Sequence, residues 1–222
     1  MKLKTLLLES IVTRLVTEIT THCQPFLKEI HYNINDNILY RGIGNIPIPS
    51  ILTQNDEIRT YPGHNPNRYP KDTPKVVHTE LNHIFTQMFH YPFRNGTFVT
   101  GSSHIAEEYG SISITIPIGE FHYLWSPYVE DLFGNWDEFE SDKLFASRTT
   151  GAPKPATEDI EDAFLNLIET NELQYQTTDL LAAIKSGHEI MIYCDKCYVL
   201  PVKEENVALA LRQIQRMHTS NQ

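Results

Sequence analysis

Cysteine is scarce in this 222-residue chain: three residues, Cys23, Cys194 and Cys197. So sparse and odd a count excludes a disulfide framework and points to a reducing compartment. Cys194-Asp195-Lys196-Cys197 is a C-x-x-C without a second pair, so it cannot supply the four ligands of a structural zinc site. The two thiols read instead as flanking a two-residue turn between strands. No helix pattern follows Cys194 to depress its pKa, which argues against redox work. Long apolar runs are also missing, and with them any membrane span. The start, Met1-Lys2-Leu3-Lys4-Thr5-Leu6-Leu7-Leu8, imitates a signal peptide. Glu9 and Arg14 interrupt it and no small-residue cleavage site follows. Positive charge is short as well: the net charge of -10 disfavours non-specific binding to nucleic acid, which needs concentrated Lys and Arg. Arg59, Arg68, Lys71 and Lys75 form one local basic group, read as a solvated loop. P-loop and G-x-S-x-G signatures are absent. His78 and His83 stand five apart, off the i, i+4 spacing of a helical metal pair, so no metal site is expected.

What remains is ordinary soluble composition, 41% apolar and 21% charged, in a chain long enough to bury a core as one domain over 1–222. Ile11, Leu15 and Ile19 make a helical stripe over residues 3–22. Residues 36–41 read as a short strand. Six prolines between 43 and 75 exclude long helices and central strands there, leaving a long loop. Thr73 and Pro74 then open a helix, as cap and first residue, whose buried face is Val77, Leu81, Ile84, Phe85 and Met88. Residues 97–101 read as a strand, 103–109 as a short helix, and the alternating 111–116 as a strand. Aromatics and acids crowd 119–145, where the aromatics read as core and lid material rather than as a base-stacking platform. A linker is expected over 147–157. Helices follow at 158–170, 179–186 and 204–218, with paired strands at 189–193 and 198–202. Interspersed short strands and helices predict an α+β fold.

Three pieces carry chemistry. Tyr40-Arg41-Gly42 ends the first strand; Thr97-Phe98-Val99-Thr100-Gly101-Ser102 precedes Ala106 and Tyr109-Gly110; Gly187-His188-Glu189-Ile190 opens a late strand. A guanidinium offers a fork of donors matched to phosphate oxygens. A carboxylate beside developing positive charge stabilises it. Each piece also has a plain structural role: a strand-end ion pair for Arg41, a helix cap for Thr100 or Ser102, an exposed strand residue for Glu189.

In this order the three pieces resemble the ADP-ribosyltransferase fold in its Arg-Ser-Glu branch. The resemblance implies short strands in a split mixed sheet with flanking helices, and NAD as substrate. It implies Glu189, Ser102 and Arg41 as catalytic residues, with Arg41, Tyr40, Gly42, Thr100 and Ser102 holding the dinucleotide. Arg41 would grip the diphosphate. Thr100 or Ser102 would bond the nicotinamide ribose or brace Glu189, and Tyr40 or an aromatic from 121 to 128 would stack on nicotinamide. Gly187 departs from the pattern, standing where many members carry Glu or Gln. That implies an acceptor other than an arginine-type side chain, or a degenerate site. Residues 68–131 are also similar to uncharacterised proteins of large tailed bacteriophages. The joint expectation is a phage-encoded effector that transfers ADP-ribose to a host protein, found in host cytoplasm or virion. The alternative is a non-catalytic virion or interaction protein on a similar scaffold.

Overall fold

The computed structural model describes residues 2–44, 51–52, 57–68 and 73–219. Eight helices and five strands occur among them, an α+β arrangement. The frame is one long antiparallel pair, β4 (Ser111–Trp125) and β5 (Ile190–Pro201). Its register runs from Trp125 opposite Ile190 to Ser113 opposite Pro201. β1 (Tyr40–Ile43) adds to β4, with Tyr40 opposite Ile114. On the other edge of β5, β2 (Thr60–Pro62) and β3 (Thr97–Val99) pair with its two halves.

The sheet also curls back on itself. Tyr40 N donates to Thr100 O at 2.7 Å and Thr100 N to Tyr40 O at 2.9 Å. β1 is therefore bonded to β4 on one side and to the residue just past β3 on the other. This joins the first two sequence pieces of the site directly, through backbone.

Side chains alternate across the β4–β5 pair, as the pleat requires, and each face carries its own core. Ile190, Ile192, Tyr123 and Trp125 face a core built with α1 (Lys2–His22), α2 (Gln24–Glu29), α7 (Leu180–Ser186) and α8 (Glu205–Thr219). Leu124 and Met191 face a second core with α3 (Lys75–Phe89), α5 (Leu132–Thr150) and α6 (Thr157–Glu169). There Phe164 meets the Trp136 ring edge-on at 5.1 Å, a geometry that adds to simple area burial.

Several expectations are corrected. All pairings between the named strands are antiparallel, not mixed, because each strand packs beside one of opposite direction. The strand expected over 36–41 occupies Tyr40–Ile43. Strands 189–193 and 198–202 are one strand, and Asp195-Lys196 is its exposed middle rather than a turn. Opposite that point β4 carries a bulge between Ile118 and Phe121, with Gly119 at φ 70°. The extra residue breaks the alternation that strand reading depends on. β4 runs on to Trp125, so Phe121 and Tyr123 belong to a strand, not a lid. α5 reaches Thr150, so the connection is 151–156 rather than 147–157. α3 begins at Lys75 behind Pro74, without a side-chain cap from Thr73. Among the described residues of the Pro-rich stretch lies the short edge strand β2; residues 45–50, 53–56 and 69–72 of it lie outside the described residues.

Candidate functional site

Two glycines let the elements close around the site. A Cβ on Gly42 would run into the Ala106 carbonyl and the Tyr109 side chain, so glycine there lets α4 (Ser103–Glu108) lie directly on β1. A Cβ on Gly101 would strike the backbone of Ile184, so glycine there brings the β3–α4 corner against α7. Thr100 pins that contact. Its hydroxyl donates to the carbonyl of Gly187, which ends α7, and accepts from Ser102 N at 3.1 Å. Gly187 at φ 76° turns the chain, and Glu189 follows with its N–H donating to Glu130 O at 2.7 Å. Thr100 thus braces the corner that presents Glu189.

These elements enclose a cavity of about 250 Å³. Tyr40, Arg41, Gly42, Thr100 and Glu189 all line it, although the sequence scatters them over residues 40 to 189. Ser102 does not belong to the lining: its hydroxyl accepts from Ile105 N at 3.3 Å and caps α4. The serine expected to be catalytic is therefore a helix cap, the role that the small oxygen side chain before a helix fills so well.

Glu189 is the electrostatic centre. Its side chain is 17% exposed and meets the Arg94 guanidinium at 3.5 Å. Burial raises its pKa to about 7; Arg94 pulls the other way, and Asp131 beside it raises it again. The carboxyl thus titrates near neutrality, the range in which a group can serve as acid or as base. Asp131 is held firmly, accepting from Tyr109 Oη, Phe133 N and Gly134 N, each at 3.2 Å. One carboxylate is fixed by three donors and its neighbour is left free to exchange a proton.

Three arginines face the same space. Burial pushes the Arg41 guanidinium down, and among the described residues no acceptor meets it. Arg68 donates to Gly96 O at 2.8 Å and lies over the Phe98 ring at 3.8 Å. Burial, then Arg94 and Arg41, push it down to about 10. Arg94 is 6% exposed, and among the described residues its Nε has no partner. Sequence reading missed Arg94 and Asp131, and read Arg68 as loop charge. Arg94 sits in a short 3-10 turn, Phe93–Asn95, for which no periodic pattern exists. Asp131 had one signal, its place as an acidic cap three residues ahead of Gly134 in α5.

His188 Nδ1 lies 3.0 Å from Ser126 O, and among the described residues no group of His, Cys, Asp or Glu is arranged to hold a metal. Cys194 and Cys197 are buried in β5 rather than set around a turn. Among the described residues no helix is long and apolar enough to cross a membrane. Compared with known proteins, the chain matches no family model, no curated protein and no solved structure.

Proposed function

We propose that this protein cleaves NAD at the nicotinamide–ribose bond and transfers ADP-ribose to a macromolecular acceptor. The observation that carries the reading is the convergence of Arg41, Thr100 and Glu189, distant in sequence, on one cavity. The donors fit an anionic ligand: Arg41 has no protein acceptor among the described residues, and a guanidinium without one binds phosphate oxygens well. At about 250 Å³ the cavity suits the nicotinamide half of the dinucleotide, with the adenosine half reaching out past it.

In this reading Arg41 grips the diphosphate and Tyr40, half-buried in the lining, flanks the nicotinamide. The ionised Glu189 accepts a hydrogen bond from a ribose hydroxyl and opposes the positive charge that grows at C1′. The C1′–N bond breaks, and nicotinamide leaves with the electron pair. The acceptor nucleophile bonds to C1′ and releases its proton. Thr100 acts through the Gly187 corner, keeping Glu189 in place. Gly187 itself supplies no side chain towards an acceptor, which favours an acceptor other than an arginine-type side chain. A host protein is the acceptor class that a phage source would favour.

Incubation with NAD labelled in the adenosine half, beside a Glu189→Ala control, tests this. Nicotinamide release with label on protein, lost in the variant, is expected. Absence of both in varied lysates rejects the proposal.

A second reading, a virion or interaction protein, draws on the outer part of α5. There Phe145 is 66% exposed, on a helix that also exposes Asp137, Glu138 and Asp142. Stoichiometric copies in purified particles, with no NAD binding, would favour it.

A further inference from the structure

We infer that Arg68 and Arg94, which both lie against the Phe98 ring and line the cavity, form a receptor for a terminal phosphate, so that the cavity takes, besides NAD, a second class of ligand that carries a phosphomonoester. The inference uses the cavity of the transfer reading but assigns it residues and a ligand class which that reading does not need.

The argument begins with an energetic oddity. Arg68 and Arg94 are like charges, yet their guanidinium carbons lie 3.8 and 4.7 Å from the centre of one ring. The ring face repays part of that cost, since a cation over a ring is attracted by its quadrupole. It does not remove the repulsion, which is strong enough for Arg94 to push the Arg68 guanidinium down after burial has done so. The protein answers with few acceptors. Arg68 spends a donor on Gly96 O, and Arg94 reaches Glu189 and Thr73 Oγ1 only at 3.5 Å. Among the described residues the buried Nε of Arg94 meets no partner. A guanidinium carries five donors, and leaving one buried and unmet costs free energy. An anion arriving here meets ready-made demand.

Its chemistry follows from the count of forks. Arg68 and Arg94 both line the cavity, each with its guanidinium carbon within 5 Å of the Phe98 ring centre, so two positive charges border one space. A terminal phosphate carries up to two charges and three free oxygens on one phosphorus. A bridging phosphodiester carries one charge and two free oxygens. The monoester meets both forks, and planar donor pairs match its oxygens two at a time. The rim adds a place for a flat group. Tyr109, 55% exposed, and Phe133, 41% exposed, both line the cavity, and exposed rings take up planar bases by stacking. The class is therefore a nucleoside monophosphate or a larger nucleotide with a free terminal phosphate.

Isothermal titration with AMP and with adenosine tests the inference, on the wild type, Arg68→Gln and Arg68→Lys. Expected are AMP at least about 10-fold tighter than adenosine in the wild type, a difference of about 2-fold in Arg68→Gln, and an intermediate value in Arg68→Lys. Inorganic phosphate should compete with AMP in the wild type, a measurement that stands even if the variants do not fold. Equal binding of AMP and adenosine, or a folded Arg68→Gln that keeps the full difference, overturns the inference. NAD run in parallel separates the two claims. NAD cleavage with no preference for AMP sinks only the phosphate site, and a preference for AMP without NAD cleavage sinks only the transfer reading.

Discussion

Two sets of buried titratable groups, the three thiols and the Glu189 site, differ in what surrounds them once buried. Cys23, Cys194 and Cys197 are all buried and unpaired as disulfides. Burial pushes Cys23 and Cys194 up to about 12 and Cys197 to about 11, with Arg41 pulling Cys197 the other way. Glu189 feels the same desolvation, yet it opens on a cavity, faces arginines and titrates near 7. Desolvation in a sealed site leaves a silent thiol, even with Arg41 acting on Cys197; desolvation at a cavity wall, beside paired arginines, leaves a group poised for chemistry. The contrast guides where substitutions should matter.

The largest effect is expected at Glu189. On the transfer reading, Glu189→Gln removes the charge that opposes the developing cation, and the rate of nicotinamide release should fall by about 10²–10³. The amide keeps the shape, so circular dichroism should be unchanged. A variant that cleaves NAD at the wild-type rate would erase the distinction between the two clusters.

Next comes the pH dependence, which follows from the raised pKa of Glu189. In the unfolded chain this carboxyl titrates near its ordinary value of 4.5, and in the folded protein near 7. Between those values the folded state holds the extra proton, so its stability relative to the unfolded state declines as pH rises, and levels off above about 7. Glu189→Gln lacks this proton, so its stability relative to wild type should increase across pH 4.5 to 7, by up to about 3 kcal/mol. Activity should move the opposite way, rising with pH to a plateau above about 7 as the carboxylate forms. Urea midpoints of both proteins across that range, beside the wild-type rate profile, check both signs. A flat difference would show that Glu189 is solvated like a surface acid.

Gly42 comes third. Gly42→Ala drives a methyl into the Ala106 carbonyl and must push α4 away from β1. A cost of about 1–3 kcal/mol is expected and, on the transfer reading, weaker NAD binding because Tyr109 moves with α4. Denaturant unfolding measures the first and titration the second. Unchanged stability would mean that the α4–β1 contact yields easily.

How much of this was readable in advance depends on range. Ile11, Leu15 and Ile19 repeat at helical spacing, and their helix forms as expected. Residues 111–116 alternate, and they lie in a strand. Arg41, Thr100 and Glu189 were singled out through a resemblance at short strands, and all three line one cavity, although Arg41 lies inside β1 rather than at its end. What failed needed partners. Asp195-Lys196 looks like a turn unless one knows that β4 runs alongside with a bulge. Ser102 and Thr100 are alike as letters, and only packing against Gly187 separates brace from cap. Arg94 carries no local pattern; its meaning comes from Glu189, 95 residues away.

The smallest effect is expected at the thiols, and it completes the contrast. Cys23 and Cys197 are fully sealed and Cys194 is 4% exposed, and the thiolate, not the thiol, is the nucleophile. Native protein at pH 8 should therefore resist iodoacetamide, while the same protein in urea should take up three labels. Replacing all three cysteines with Ala deletes one buried sulfur each, at a cost of about 1 kcal/mol apiece. On the transfer reading it should leave NAD cleavage within about 2-fold, because none of the three sulfurs lines the cavity. Rapid labelling of the native protein would show that the cluster opens to solvent, and a large loss of activity in the folded triple variant would couple it to the Arg41 side of the sheet. Either result would move the thiols from packing to chemistry, since only access and charge distinguish them from Glu189.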